Sequence, residues 1–166
     1  MDSAAYSVDN WDNFFVASAG AAAALTGLLF VALSINLDKV LKIPRITGRA
    51  AATLGILVVV MLTGCFGLAP GQSNAVIGIE FAVLGAMSLL QAVWVRFAHR
   101  KDPSAGVERP TTSFVLSIVP TIPLTIGGLS FAAGFGGGLY WTLAGVVLGF
   151  FTSVANAWVI LIEINR

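Results

Sequence analysis

The chain has 166 residues, 57% of them hydrophobic and 10% charged, with a mean hydropathy of +0.91. Soluble domains carry about a quarter charged residues, so this composition suits lipid and excludes an ordinary water-soluble domain. A formal net charge of +1 argues against nucleic acid as a general partner, and a single cysteine excludes an intrachain disulfide.

The first thirteen residues, MDSAAYSVDNWDN, hold three aspartates and no lysine or arginine. That is the reverse of a signal peptide's basic start, so no cleavable leader is expected. A membrane-crossing helix needs about 20 mainly apolar residues, and Phe14–Leu37 is the first stretch to supply them. Asp9 to Asp12 offer caps before it, and Pro44 is expected to stop its extension. Its first half, VASAGAAAALTG, is small on almost every face, with Ala19, Ala23 and Gly27 repeating at i+4, as do Gly20 and Ala24. Small faces let helices approach closely, so Gly20, Ala24 and Gly27 are predicted packing positions in a bundle or an oligomer. Thr26, Ser34 and Asn36 add polar points further along.

Lys39, Lys42, Arg45 and Arg49 follow, then a second apolar stretch at Ala50–Ala69, with Thr47 as its predicted cap. Cys65 lies in this run and reads as a small buried hydrophobe. An uncharged connection, PGQSN (70–74), leads to Ala75–Val95, capped by Ser73 or Asn74. Glu80 falls inside this third segment. At 100° per residue, Met87, Gln91 and Trp94 share its face, and Gln91 lies about 16 Å further along the axis. Ionisable residues in lipid are costly, so Glu80 is either a cation-attracting group at a vestibule or a hydrogen-bonded clamp between helices.

The basic connection RFAHRKDPSAGVERP (96–110) contains the single histidine, His99. No charge then occurs from Pro110 to Ile162, which accommodates Ser113–Ala133, capped by Thr111 to Ser113, and Leu139–Ile162. Pro120 and Pro123 lack N–H groups, so the carbonyls of Leu116 and Val119 lose their usual donors and a kink is predicted. Ser117, Thr121 and Thr125 share one side there. They either complete an ion site, as freed carbonyls do in broken transporter helices, or restore backbone hydrogen bonds at the kink. Gly134-Phe135-Gly136 has the core of a potassium-filter motif, but Ala132 and Ala133 stand where that motif needs a threonine and an apolar residue, so an ordinary turn is expected. In the last segment Gly145, Gly149, Thr152, Asn156 and Glu163 form one small-and-polar strip. It is read as a packing face, with pore lining as the alternative and an arginine as the natural partner of Glu163.

All nine basic residues fall on one side if the five segments cross with the N-terminus outside and the C-terminus cytoplasmic. Trp11, Tyr140 and Trp141 then mark one interface, Trp94 and Trp158 the other. A re-entrant loop at 113–138 would place Arg166 outside, against this bias, so a kinked crossing is expected. Eight cations in the two basic connections sit at the inner surface, each contributing about 1 kcal/mol against anionic lipid. No cysteine–histidine set with metal spacing and no paired intramembrane aspartates occur, so neither enzyme chemistry nor a metal or other cofactor is expected.

The runs NFFVASAGAAAALTGLLFVALSINLDKVL (13–41) and NAWVILIEINR (156–166) resemble small multipass bacterial membrane proteins of unassigned function, some designated modulators of a membrane-bound AAA protease. What the resemblance implies is a bacterial inner-membrane location. The expectation is therefore a single transmembrane domain over 1–166, an all-α bundle of five helices that forms homo-oligomers in the bilayer. As a function it predicts a cation channel or transport protein, or else a non-conducting partner of another membrane protein. The predicted ion contacts are Glu80, Gln91, Ser117, Thr121, Thr125, Thr152, Asn156 and Glu163, and the packing positions are Gly20, Ala24, Gly27, Gly145 and Gly149.

Overall fold

The computed structural model describes residues 3–99 and 115–164. All regular structure among them is helical. Two short 3-10 segments, Ser3–Tyr6 and Val8–Asn10, precede α1 (Asp12–Ile35), α2 (Leu37–Lys42), α3 (Pro44–Gly67), α4 (Asn74–His99), α5 (Thr121–Ala133) and α6 (Leu139–Ile164). Five helices are long and apolar enough to cross a membrane: Asp12–Ile35, Ile46–Gly67, Asn74–Trp94, Val115–Ala133 and Leu139–Glu163. The predicted caps at Thr111 to Ser113 and the cations Arg100, Lys101, Arg109 and Arg166 lie outside the described residues.

Local chemistry explains where the boundaries differ from expectation. The first helix breaks at Asn36, whose side-chain amide donates to the Ala32 carbonyl at 3.0 Å, and α2 carries the chain on to Ile43. Helical structure stops before Pro44 as expected, with Ile43 in extended backbone, and Pro44 also begins α3 at the first position, where its missing N–H costs nothing. The second helix therefore starts six residues before the predicted Ala50, and Thr47, the predicted cap, sits inside it with its hydroxyl on the Val40 carbonyl. Ser73 does cap α4, accepting from the Val76 N–H at 3.4 Å.

The 115–133 stretch is a broken helix. Residues 115–118 form a helical turn, the ladder is interrupted at Val119 and Pro120, and α5 resumes at Thr121. Thr121 Oγ1 donates to the Ile118 carbonyl at 2.8 Å, a side-chain bond that spans the break. The chain does not double back there. It ends at Gly134, whose φ of +72° is open to glycine at no steric cost.

Glycine contacts assemble the bundle. A Cβ on Gly78 would lie 2.7 Å from the Gly128 carbonyl, and one on Gly85 would press on Thr125, so α4 and α5 meet backbone to backbone and antiparallel. Gly64 and Gly67 receive Phe15 of α1 in the same way, while Gly145 and Gly149 of α6 meet Leu124 of α5 and Val60 of α3. Such close approach, rather than exclusion of water, holds helices together in lipid. Phe15, Ile77, Phe81, Phe131 and Leu139 fill the core at the end that carries residues 3–11; Val40, Ile46, Ala50 and Ile160 fill it at the other. Cys65 faces outward from α3, against the expectation that it is buried.

Candidate functional site

The segment before α1 folds across one end of the bundle as a strap. Tyr6 stacks on Phe131 and accepts at its hydroxyl from the Gly137 N–H at 2.8 Å; the Tyr6 carbonyl accepts from Asn74 Nδ2 at 2.8 Å. Trp11 donates its indole N–H to the Ala4 carbonyl and sets its ring edge-on to Tyr140. Beneath the strap, Ser130 ties the 134–138 turn together, accepting from the Gly138 N–H and donating to the Phe135 carbonyl.

Between this strap and the 68–73 turn lies a polar cleft of about 430 Å³, walled by Ser7, Asp9, Asp12, Gln72 and Asn74 among others. Asp9 and Asp12 are exposed. Gln72 Nε2 donates to Glu80 Oε1 at 3.2 Å, so the turn residue links the cleft to the half-buried Glu80 on α4. The remaining oxygens of that pair, Gln72 Oε1 and Glu80 Oε2, are enclosed without a hydrogen-bond partner among the described residues. The cleft thus carries two exposed carboxylates, Asp9 and Asp12, and no lysine or arginine among its described lining residues.

A second polar group lies inside the bundle. On α6, Thr152, Ser153 and Asn156 are buried, at 1%, 1% and 2% exposure. Thr152 donates to the Leu148 carbonyl at 2.9 Å, whereas Ser153 Oγ and Asn156 Oδ1 have no hydrogen-bond partner among the described residues. An enclosed acceptor left in that state costs about 1–3 kcal/mol. Further along, Glu163 Oε1 stands 3.4 Å from Arg49 Nη1, with the two side chains about one-fifth exposed. This pair marks the end of the bundle that also carries Lys39 and Lys42.

The structure gathers the predicted residues into separate places. Glu80 lies behind the strap-end cleft, joined to it through Gln72 and not part of its wall. Gln91 is exposed and lies over Gly55 of α3, its amide 3.4 Å from where a Cβ there would sit. Ser117 is half-buried before the break, and Thr125 donates to the Thr121 carbonyl at 2.8 Å. Thr152, Asn156 and Glu163 share the inner strip of α6, whose Gly145 and Gly149 contact α5 and α3 of the same chain. Gly20, Ala24 and Gly27 point away from the bundle; a Cβ on Gly20 or Gly27 would meet nothing within 4 Å.

Sequence reasoning missed Gln72, Ser130 and Ser153. Gln72 sits in an uncharged turn with nothing to single it out. Ser153 was legible as the neighbour of Thr152 on the same strip, one turn before Asn156. The expected arginine partner of Glu163 is Arg49, which lies opposite the last residues of the antiparallel α6.

Compared with known proteins, the chain matches no family model, no curated protein and no solved structure.

Proposed function

We propose that this chain is a multipass protein of the bacterial inner membrane, N-terminus outside and C-terminus cytoplasmic, whose copies assemble into a cation channel or transport protein. The observation that carries the reading is the strap-end cleft. Asp9 and Asp12 line it, and Gln72 connects it to Glu80 with two acceptor oxygens left over. Carboxylates at a mouth concentrate cations and repel anions. Lys39, Lys42 and Arg49 lie at the opposite end, as the excess of basic residues on the cytoplasmic side requires.

From the cleft we draw the path along the inner strip of α6 to the Arg49–Glu163 pair. The contacts of Gly145 with Leu124 and of Gly149 with Val60 close this strip in the conformation described. The break at Pro120 is where it opens, because α5 lacks two backbone donors there and lies directly against Gly145. A second reading, a non-conducting partner of another membrane protein, is favoured by α1, which leaves Gly20, Ala24 and Gly27 exposed for another helix.

Cation flux into proteoliposomes, compared between the native chain and Asp9→Asn/Asp12→Asn, tests the first reading. Flux that falls severalfold in the double variant supports it. Flux equal to that of empty liposomes, with the protein folded, favours the partner reading.

A further inference from the structure

We infer that Asn156 and Ser153, with Thr53 opposite them, form a binding site for a single monovalent cation inside the bundle. The inference deepens the transport reading and rests on it for its physiological meaning, though the binding it describes stands on separate residues.

Register places the three residues at one level of two facing helices. Helices α3 and α6 run antiparallel, pinned by the Arg49–Glu163 pair near one end and by Gly149 against Val60 and Ile56 further in. Midway between these contacts on α6 stands Asn156, and midway on α3 stands Thr53. Both are buried, at 2% and 0% exposure, and Ser153 lies one turn from Asn156 at 1%.

Their hydrogen-bonding states point to the ligand. Thr53 commits its hydroxyl hydrogen to the Arg49 carbonyl at 2.8 Å, and Thr152, next to Ser153 on α6, commits its own to Leu148 at 2.9 Å. Both oxygens therefore keep only lone pairs for any other contact. Asn156 Oδ1 is an acceptor by nature and has no partner, nor does Ser153 Oγ. The enclosed amide oxygen of Asn156 has no donor, and the hydroxyl oxygens of Ser153 and Thr53 can turn lone pairs toward it, so the group suits a positively charged or donating occupant.

Charge narrows the class. The set consists of uncharged oxygens, and the nearest described carboxylate along α6, Glu163, is seven residues on, about 10 Å along the axis. Divalent cations are held by carboxylates and several waters; neutral oxygens in a dry site suit sodium or potassium.

The test is thermal unfolding of the protein in lipid nanodiscs at constant ionic strength, in sodium, potassium or N-methylglucamine chloride. The expected result is a saturable rise in Tm of several degrees with sodium or potassium over N-methylglucamine. Asn156→Leu and Ser153→Ala should each abolish that rise, while Ser34→Ala on the exposed side of α1 retains it. Should Asn156→Leu fail to fold, Ser153→Ala decides alone. A native Tm indifferent to cation identity overturns the proposal and leaves the acceptors to bound water; so does a cation-dependent rise that survives in the variants. Binding without flux in proteoliposomes would sink the transport reading and keep the site. Flux without cation-specific stabilisation would do the reverse.

Discussion

Glycine serves two different purposes in this chain, and substitution separates them. Gly128 lies against α4, where a Cβ would stand 2.6 Å from the Gly78 carbonyl, a backbone atom that cannot swing aside. Gly128→Ala should lower stability by about 1–3 kcal/mol, as overpacking does. Gly20 on α1 has open space beyond it, so Gly20→Ala should be neutral in the isolated protomer, or stabilising by up to about 1 kcal/mol through better helix propensity. Thermal unfolding of both variants in one detergent checks the contrast. If Gly20→Ala destabilises as much as Gly128→Ala, the exposed face of α1 is covered by another helix. The Arg49–Glu163 pair makes a second prediction at this scale. Removing one partner leaves the other charge partly enclosed, so Arg49→Gln and Glu163→Gln should each destabilise more than the double variant does. A double-mutant cycle reads this as a coupling energy, and purely additive costs would contradict it.

At the scale of elements, the strap is the part whose removal should leave the rest intact. It is held by the hydroxyl, ring and carbonyl of Tyr6, by Trp11 and by close approach of Ala5 to Gly138, and it covers the 134–138 turn without entering the glycine contacts between helices. Tyr6→Ala should therefore speed proteolysis and amide exchange over residues 3–11 while exchange in α4 and α5 stays slow. Equal loss of protection in α4 would show that the strap is integral to the bundle. The elements also show what could be read in advance. Five apolar stretches of membrane length were legible because that length is a property of composition, and the break near Pro120 because proline removes a donor. The start of α3 was not legible: Pro44 both ends one helical run and opens the next, and the basic residues after it hid the second role. Of the candidate sites, Glu80 and Asn156 were legible as polar residues within apolar stretches; Gln72, Thr53 and Ser153 were not, because each set joins helices that are distant in sequence or separated by a turn.

The whole molecule has a polarity that follows from its ends, an acidic cleft under the strap and a basic rim at Lys39, Lys42 and Arg49. The proposed orientation predicts that, in a Cys65→Ala background, Ser7→Cys reacts with a membrane-impermeant maleimide on intact cells and Lys39→Cys reacts only after lysis. The reverse pattern would invert the molecule and put the cleft inside. The cation pathway itself is tested most directly by the reversal potential of the purified protein in planar bilayers under asymmetric potassium chloride, recorded beside Glu80→Gln. The account predicts discrete currents with a cation-selective reversal potential that moves toward zero when the Glu80 carboxylate is lost. A reversal potential unmoved by the substitution, or no current at any voltage, contradicts it.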